Sequence, residues 1–394
     1  MDWNFLIKNK ESLHVTTDSR KVTSGSIFVA LKGEHFDGND FVEQAQKDGA
    51  EYIISGENAL RDLQDLARAW RRELALPILG ITGTNGKTTT KELCAAVLST
   101  KYNLYYTQGN LNNQIGVPLT LLSITRAHEM AIVEMGASHP GDIKELVEIA
   151  EPNYGLITNV GKAHLQGFGS FEGVMRTKAE LYDFLRAHNG FCFRNIDNPY
   201  LAQMAGDLKT VEYHTGSMPS DTHLVGGYNA ENVSAAICVG RYFGVSEEAA
   251  LAAIRAYIPS NNRSQLMQTG RNTVVVDAYN ANPTSMTAAI NAFDKSQIIN
   301  HKSQMPKAYI LGAMRELGEY SHLEHQNIVN MLLERKADRV LLVGEEYKAT
   351  TAPYPIFNNV EDLCAYLQTE ALSGYTILLK GSRSNQLEKV IPFL

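Results

Sequence analysis

"LPILGITGTNGKTTTKEL", residues 76–93, decides how the chain is read. Ile78-Leu79-Gly80-Ile81 is a short apolar run, Thr82 to Gly86 is a loop of small residues, and Lys87 opens a helical pattern. A loop of this kind turns backbone N–H groups onto phosphate oxygens, and the helix N-terminus adds a favourable dipole. Gly83 and Gly86 let the backbone come close, Lys87 offsets β/γ-phosphate charge, and the Thr88 hydroxyl can ligate Mg²⁺. The strict G-x-x-x-x-G-K-[ST] spacing fails, because Ile81 stands where the first glycine belongs. The alternative is a plain strand–turn–helix connection, and Gly-Lys-Thr-Thr directly after an apolar run argues against it.

Outward from this stretch, apolar runs alternate with helical patterns. "AIVEMG" precedes "GDIKELVEIAE", and "YGLITNV" precedes "FEGVMRTKAELYDFLRA". Such alternation predicts βαβ units, an α/β fold with a mainly parallel sheet, and ligands at the carboxyl ends of its strands. The helical "ALRDLQDLARAWRREL" would close an N-terminal domain, residues 1–75. Turn residues Pro259, Ser260, Asn261 and Asn262 suggest a second boundary. A central domain, 76–262, is then followed by another α/β unit, 263–394, whose strands are "TVVVDAYNANP", "KAYILGAM", "RVLLVG" and "YTILLKGS".

The chain has 394 residues, a formal charge of −7, 44% hydrophobic and 20% charged residues. That length is too great for one ordinary core. Basic residues are spread along the chain, so the stripe expected of a nucleic-acid binder is missing. The N-terminus lacks a continuous apolar signal region, and no run approaches the ~20 apolar residues that span a bilayer. The four cysteines (Cys94, Cys192, Cys238, Cys364) match no metal or redox spacing. The expectation is a cytoplasmic protein without stable membrane insertion, with Cys94 and Cys238 as buried thiols.

Mg²⁺ bound with a nucleoside triphosphate needs hard oxygen ligands. Glu134, at the end of the apolar "MAIVE", is a candidate, with a solvated strand end as the alternative. His164 in "LITNVGKAHL" is another; a lone histidine is more often exposed or structural. Lys178, read alone in "GVMRTKAELYDF", is an ordinary surface lysine.

Taken together these segments resemble the Mur ligases. "GITGTNGKTTTKE" is similar to that family's ATP loop, Gly-x-Thr-Gly-Thr-x-Gly-Lys-Thr, so Thr82, Gly83, Thr84, Asn85, Gly86, Lys87, Thr88 and Thr89 are implied in ATP binding. The resemblance makes His164 a metal-binding residue and places Lys178 where the family has a lysine that is often carbamylated. An N6-carboxylysine would suit Mg²⁺ better than an ammonium. "GGYNAENVSAA" implies Asn229 and Asn232 on the nucleotide side. Arg263 and Asp277 match an arginine near the start of the C-terminal domain and an aspartate that holds the ATP ribose.

The implied architecture is a small N-terminal α/β domain that binds UDP, a central P-loop ATPase domain and a C-terminal Rossmann-like domain. "TTDSRKVTSGSIFVALKGEHFDGNDF", "QGNLNNQIGVPLTLL", "DAYNANPTSM", "MRELGEYSHLEH" and "LLKGSRSNQLE" resemble the member type that joins D-alanyl-D-alanine to UDP-N-acetylmuramoyl-tripeptide. The implied reaction runs through an acyl phosphate, with Lys87, His164 and Lys178 catalytic and with Thr88, Glu134, His164 and Lys178 placing Mg²⁺. Asn280, Asn282, Ser382 and Arg383 would meet the dipeptide, or serve only as turn and cap residues. Asp18, Ser19 and Arg20 would bind the uridine diphosphate, or only form a capped turn. A monomer whose three domains close around substrates, and which opens without them, is expected.

Two features depart from the family pattern. Ala313 stands where Leu-Gly-Asp-Met-x-Glu-Leu-Gly has its aspartate, and "SMPSDTH" is a short link where relatives carry several strands. They leave two alternatives open: a related ligase adding a different amino acid, and a catalytically weakened nucleotide-binding homologue.

Overall fold

A computed structural model describes residues 3–8, 10–219, 221–259, 262–295, 305–335, 337 and 339–394. Ser260 and Asn261, two of the turn residues at the second expected boundary, lie outside the described residues. Three sheets follow one another along the chain. The first joins β1 (Val15–Thr16), β2 (Ile27–Val29) and β3 (Tyr52–Ile54), all parallel.

The second contains β4 (Ile78–Thr82), β5 (Leu104–Tyr106), β6 (Met130–Glu134), β7 (Tyr154–Ile157), β8 (Phe191–Asn195) and β9 (Thr210–Tyr213). Its order is β5-β6-β4-β7-β8-β9, with every neighbouring pair parallel. β4 and β6 are buried at all their positions. Helices cover both faces of such a sheet, which is why these strands read as unbroken apolar runs. The chain leaves β4 toward β5 and β6 on one side and returns to β7 on the other, so β4 marks the topological switch point.

The third sheet contains β10 (Gln265–Gln268), β11 (Thr273–Asp277), β12 (Lys307–Gly312), β13 (Arg339–Val343), β14 (Ile356–Phe357) and β15 (Thr376–Lys380). The order is β10-β11-β15-β12-β13-β14, and only the edge strand β10 runs antiparallel. The three-unit, mainly parallel α/β architecture expected from the sequence is the one found.

Gly80, the glycine that breaks the phosphate-loop spacing, lies inside β4 opposite Val133 and Gly155. A Cβ there would come within 3.2 Å of Met135 Cε and Pro152 Cβ, closer than ordinary van der Waals contact, so packing beside the sheet favours the glycine. The loop's own glycines are Gly83 and Gly86, with φ of 143° and 78°. At those angles a side chain would be strained.

The helix Ala59–Leu74, expected to close the N-terminal unit, turns its apolar side mainly to helices of the central unit. Leu63, Leu66 and Trp70 share one buried cluster with Val117, Leu121, Ile143 and Leu146. Trp70 Nε1 donates to the Ile124 carbonyl at 2.8 Å, and Arg71 Nε donates to Ala150 at 3.0 Å. The first sheet keeps only a small cluster of its own, Val22, Phe28, Ala30 and Ala45, while Ile27, Val29 and Ile54 join the core of the central unit, which supplies the larger burial. Cys94 and Cys238 are buried, as expected. No helix among the described residues is long and apolar enough to cross a membrane.

Candidate active site

A cavity of about 750 Å³ opens at the carboxyl ends of β4, β6 and β11, walled by the central unit on one side and the C-terminal unit on the other. Its floor is the loop that follows β4. The helix Lys87–Leu98 starts at Gly86, and its first intrahelical bond is Thr90 N–H to Gly86 O, 2.8 Å. The N–H groups of Lys87, Thr88 and Thr89 therefore lack helical acceptors and border the cavity. The segment 158–161 braces the loop: Thr84 N–H donates to Asn159 O at 2.9 Å, and Asn85 N–H donates to Asn159 Oδ1 at 3.0 Å. Thr82 is different: it is fully buried and its hydroxyl donates to Met135 O, so its part is to end the strand.

Lys87 folds back on its own loop, with Nζ donating to Gly83 O at 2.7 Å and Thr84 O at 3.1 Å. Burial lowers its pKa to about 8, against the attraction of Glu134 and helped by the Arg263 charge. The folded chain thus binds fewer protons than the unfolded chain between about 8 and the ordinary 10.5, and this group's contribution to stability rises with pH across that window. Polyphosphate in the loop supplies the opposite charge and restores the ammonium. ADP binding near pH 8 is therefore expected to take up protons. Calorimetry in two buffers of different ionisation enthalpy measures this, and an uptake that Lys87→Met leaves unchanged would assign it elsewhere.

Glu134 is 1% exposed at the end of β6. Its Oε1 accepts from Thr88 Oγ1 at 3.2 Å and from Asn112 Nδ2 at 2.7 Å, and Thr107 Oγ1 accepts from its backbone N–H. Oε2 is buried without a partner. An unsatisfied buried carboxylate oxygen is costly, and a hard cation is its natural complement. No group of three His, Cys, Asp or Glu side chains forms a metal cage among the described residues. That suits Mg²⁺, which is held by one or two carboxylates, a hydroxyl, phosphates and water. Glu134 and Thr88 therefore fit it.

Lys178 is not the surface lysine that its local sequence suggests. It is 2% exposed, on the inner side of the helix Phe171–Ala187, with Nζ 5.5 Å from the Phe168 ring centre. Among the described residues its Nζ makes no hydrogen bond or ion pair. Burial, then the Lys87 charge, holds its pKa well below the ordinary value, and Asp142 and Glu180 only partly oppose this. His164 borders the cavity in the left-handed conformation, φ 49°, with Nδ1 facing the Glu316 carboxylate. Burial lowers the His164 pKa, Glu316 opposes, and Lys87 and Lys178 lower it further.

The C-terminal wall brings further candidates together. Asp277 Oδ2 pairs with buried Lys380 Nζ at 2.7 Å, and its Oδ1 accepts from Ser264 N–H at 3.3 Å. The Arg263 guanidinium lies 3.9 Å from the centre of the Tyr279 ring. Asn229 Oδ1 accepts from Asn232 Nδ2, and Asn232 Oδ1 accepts from Thr90 Oγ1, tying that pair to the loop helix. Asn280 and Asn282 line the cavity. Asn282 also caps the helix Pro283–Lys295 through Ser285 N–H, and its Nδ2 donates to Asn85 Oδ1 at 2.8 Å across the two units.

Ser382 and Arg383 do not line this cavity. Ser382 is buried, with Oγ accepting from Arg315 N–H, and Arg383 pairs with Glu388 at the surface. Asp18, Ser19 and Arg20 also lie off it, in a short 3₁₀ turn where Asp18 accepts from the Arg20 backbone and guanidinium. That hydrogen bond to Arg20 holds the Asp18 carboxyl down at about 2. Ala313 is fully buried in an apolar cluster of the C-terminal unit and does not face the cavity. Asn112, Asn159, Glu316 and Lys380 were not singled out from the sequence. All four fall in segments that were, but spacing alone cannot choose among their neighbours.

The central and C-terminal units touch directly across the cavity. Besides Asn282–Asn85, Lys162 N–H donates to Thr284 Oγ1 at 3.0 Å and Lys162 Nζ pairs with Glu324 at 2.9 Å.

Comparison with known proteins gives the same picture over nearly the whole chain. Residues 13–83 match the Mur ligase family catalytic domain, 81–215 the Mur ligase middle domain, and 262–383 the Mur ligase glutamate ligase domain. The UDP-N-acetylmuramoyl-tripeptide–D-alanyl-D-alanine ligases of Bacillus subtilis and Escherichia coli are each 33% identical, over 96% of this chain and 92% of theirs. The alignment with the Bacillus subtilis protein runs over 428 positions, more than the 394 residues here, so that relative carries residues this chain lacks. Among solved structures, MurF ligase from Thermotoga maritima in complex with ADP superposes with a TM-score of 0.85 at 27% identity, covering 98% of each chain. MurF from Acinetobacter baumannii gives 0.84 at 28% identity, over 96% of this chain and 92% of its own.

Proposed function

This chain belongs to the Mur ligase family, and from that premise we propose that it joins D-alanyl-D-alanine to UDP-N-acetylmuramoyl-tripeptide, using ATP, in peptidoglycan precursor synthesis. The observation that carries the reading is the phosphate loop set against an unsatisfied buried carboxylate, Glu134, in a cavity that the C-terminal unit closes. On this reading the reaction takes place in the cytoplasm, where ATP is at hand. Residues 1–75 would hold the UDP end, 76–262 the phosphates, and 263–394 the incoming dipeptide.

A carboxylate does not condense directly with an amine, because oxide is a poor leaving group. A carboxylate oxygen of the tripeptide attacks the γ-phosphorus of ATP, and ADP departs. The dipeptide amine then attacks the acyl carbon, loses a proton, and phosphate leaves with the former carboxylate oxygen. Lys87 leaves the Gly83 and Thr84 carbonyls to meet the charge on the transferring phosphoryl group. Asp277, fixed by Lys380 and Ser264, holds the ribose, with Arg263, Asn229 and Asn232 beside the nucleotide. Mg²⁺, when bound, neutralises phosphate charge, and Thr88, Glu134, His164 and Lys178 would place it. Lys178 would do so as a carbamate: its buried neutral amine attacks the carbon of CO₂ and releases a proton. The docked C-terminal wall excludes water, which would otherwise hydrolyse the acyl phosphate.

The test is phosphate release from ATP with UDP-N-acetylmuramoyl-tripeptide, with and without D-alanyl-D-alanine. Release is expected to require both. Release that ignores the dipeptide, or that a single amino acid supports equally, would overturn the assignment.

A further inference from the structure

The helix Pro283–Lys295 of the C-terminal unit begins against the phosphate loop of the central unit. Asn282, 6% exposed, caps it reciprocally: its Oδ1 accepts from Ser285 N–H at 2.8 Å, and its own N–H donates to Ser285 Oγ at 3.1 Å. Two residues on, Thr284 Oγ1 accepts from Lys162 N–H, and a Cβ at Gly161 would come 2.9 Å from that hydroxyl. The helix start is thus seated on the brace behind the loop as well as on the loop itself.

The cap settles which way the Asn282 amide points. A backbone N–H is met only by the amide oxygen, so Oδ1 faces Ser285 and Nδ2 is left for Asn85, 2.8 Å away. A donor there requires an acceptor opposite, and Asn85 turns its Oδ1 to it. The Asn85 backbone is fixed separately: its N–H donates to Asn159 Oδ1 at 3.0 Å, and its carbonyl accepts from Thr158 Oγ1 at 2.6 Å and Asn159 Nδ2 at 3.2 Å. What remains is the Asn85 amide NH₂. It makes no hydrogen bond among the described residues, and it belongs to a residue that lines the cavity.

We propose that Asn282 is a positioning residue that acts through Asn85: it holds the Asn85 amide so that the NH₂, not the oxygen, is offered to the polyphosphate of a bound nucleotide. Phosphate oxygens accept hydrogen bonds and repel a carbonyl oxygen, so reversing the amide turns an attraction into a repulsion. The Asn282 amide is engaged at both ends in this relay, in place of the dipeptide contact that the family resemblance implies. Because the two asparagines belong to different units, nucleotide affinity is tied to the seating of the C-terminal unit. The inference rests on the loop as the nucleotide site and not on the identity of the incoming amine.

ADP binding to the full chain, measured by calorimetry, tests it. Asn282→Asp keeps an oxygen for the Ser285 N–H but turns a second oxygen on Asn85, whose amide must then reverse. ADP affinity is expected to fall about 10–100-fold, while the dipeptide KM changes little. Asn282→Ser, which caps the helix without holding Asn85, is expected to lose less. Repeating Asn282→Asp in an Asn85→Ala background isolates the relay, and most of the loss is expected to disappear there. A loss that persists is plain repulsion of ADP by the new carboxylate and overturns the proposal. Unchanged ADP affinity in Asn282→Asp, or a raised dipeptide KM with ADP affinity intact, overturns it as well. A wild type that binds no ADP removes the loop reading and the relay together, whereas the ligase assignment is tested apart, by dipeptide-dependent phosphate release.

Discussion

Lys87→Ala is expected to lower kcat for dipeptide-dependent phosphate release by about 10²–10³-fold, while the thermal midpoint of the free protein stays nearly where it is. Two opposed terms lie behind the second expectation. The substitution removes the bonds from Nζ to the Gly83 and Thr84 carbonyls, at 2.7 and 3.1 Å, and it also removes a desolvated cation. Such terms are each worth about 1–3 kcal/mol and oppose one another. Turnover has no such compensation, since charge gathers on the transferring phosphoryl oxygens in a site from which water is excluded. The check is steady-state phosphate release alongside a thermal melt. A loss smaller than about tenfold would mean that another cation serves the γ-phosphate.

Lys178→Ala is expected to cost about 10²-fold or more in the same assay, with part of the rate returned by added short carboxylates. An ammonium would be a poor neighbour for a divalent ion. Burial and the Lys87 charge already disfavour it there, and the side chain has no ion-pair partner among the described residues. Lys178 does not line the cavity, and a carbamate would convert that liability into anionic oxygens within reach of the Lys87 and His164 charges that already act on it. Alanine leaves space that a small carboxylate can enter. Undiminished activity before any addition removes the proposed role, and loss without rescue assigns Lys178 to packing. A ¹³C carbamate resonance after growth in labelled bicarbonate provides an independent readout.

The parts of the site legible in the sequence are those made within one short segment. The phosphate loop is such a segment: Gly83, Gly86, Lys87 and Thr88 take their geometry from a strand that ends and a helix that begins. Glu134 was legible for a similar reason, standing at the last position of an apolar strand. Lys178 was not, because "GVMRTKAELYDF" is an amphipathic helix whose inner face is defined only by what packs on it. The Ala59–Leu74 helix misleads in the same way: its polar residues are visible locally, but the surface that receives Leu63 and Trp70 comes from residues 117–146.

The sequence by itself determined the α/β class, the phosphate loop and the run of family segments, since each rests on local periodicity or on short motifs. The family resemblance also accounted for Gly80, as the first glycine of its ATP-loop pattern. Only the tertiary structure showed that Gly80 answers to Met135 and Pro152 and not to phosphate, that Glu134 keeps one oxygen unsatisfied, and that Glu316 reaches His164 from another unit. The physical reason is the same in each case. Burial and contact across 50 to 150 residues are properties of packing, and no window of sequence contains both partners.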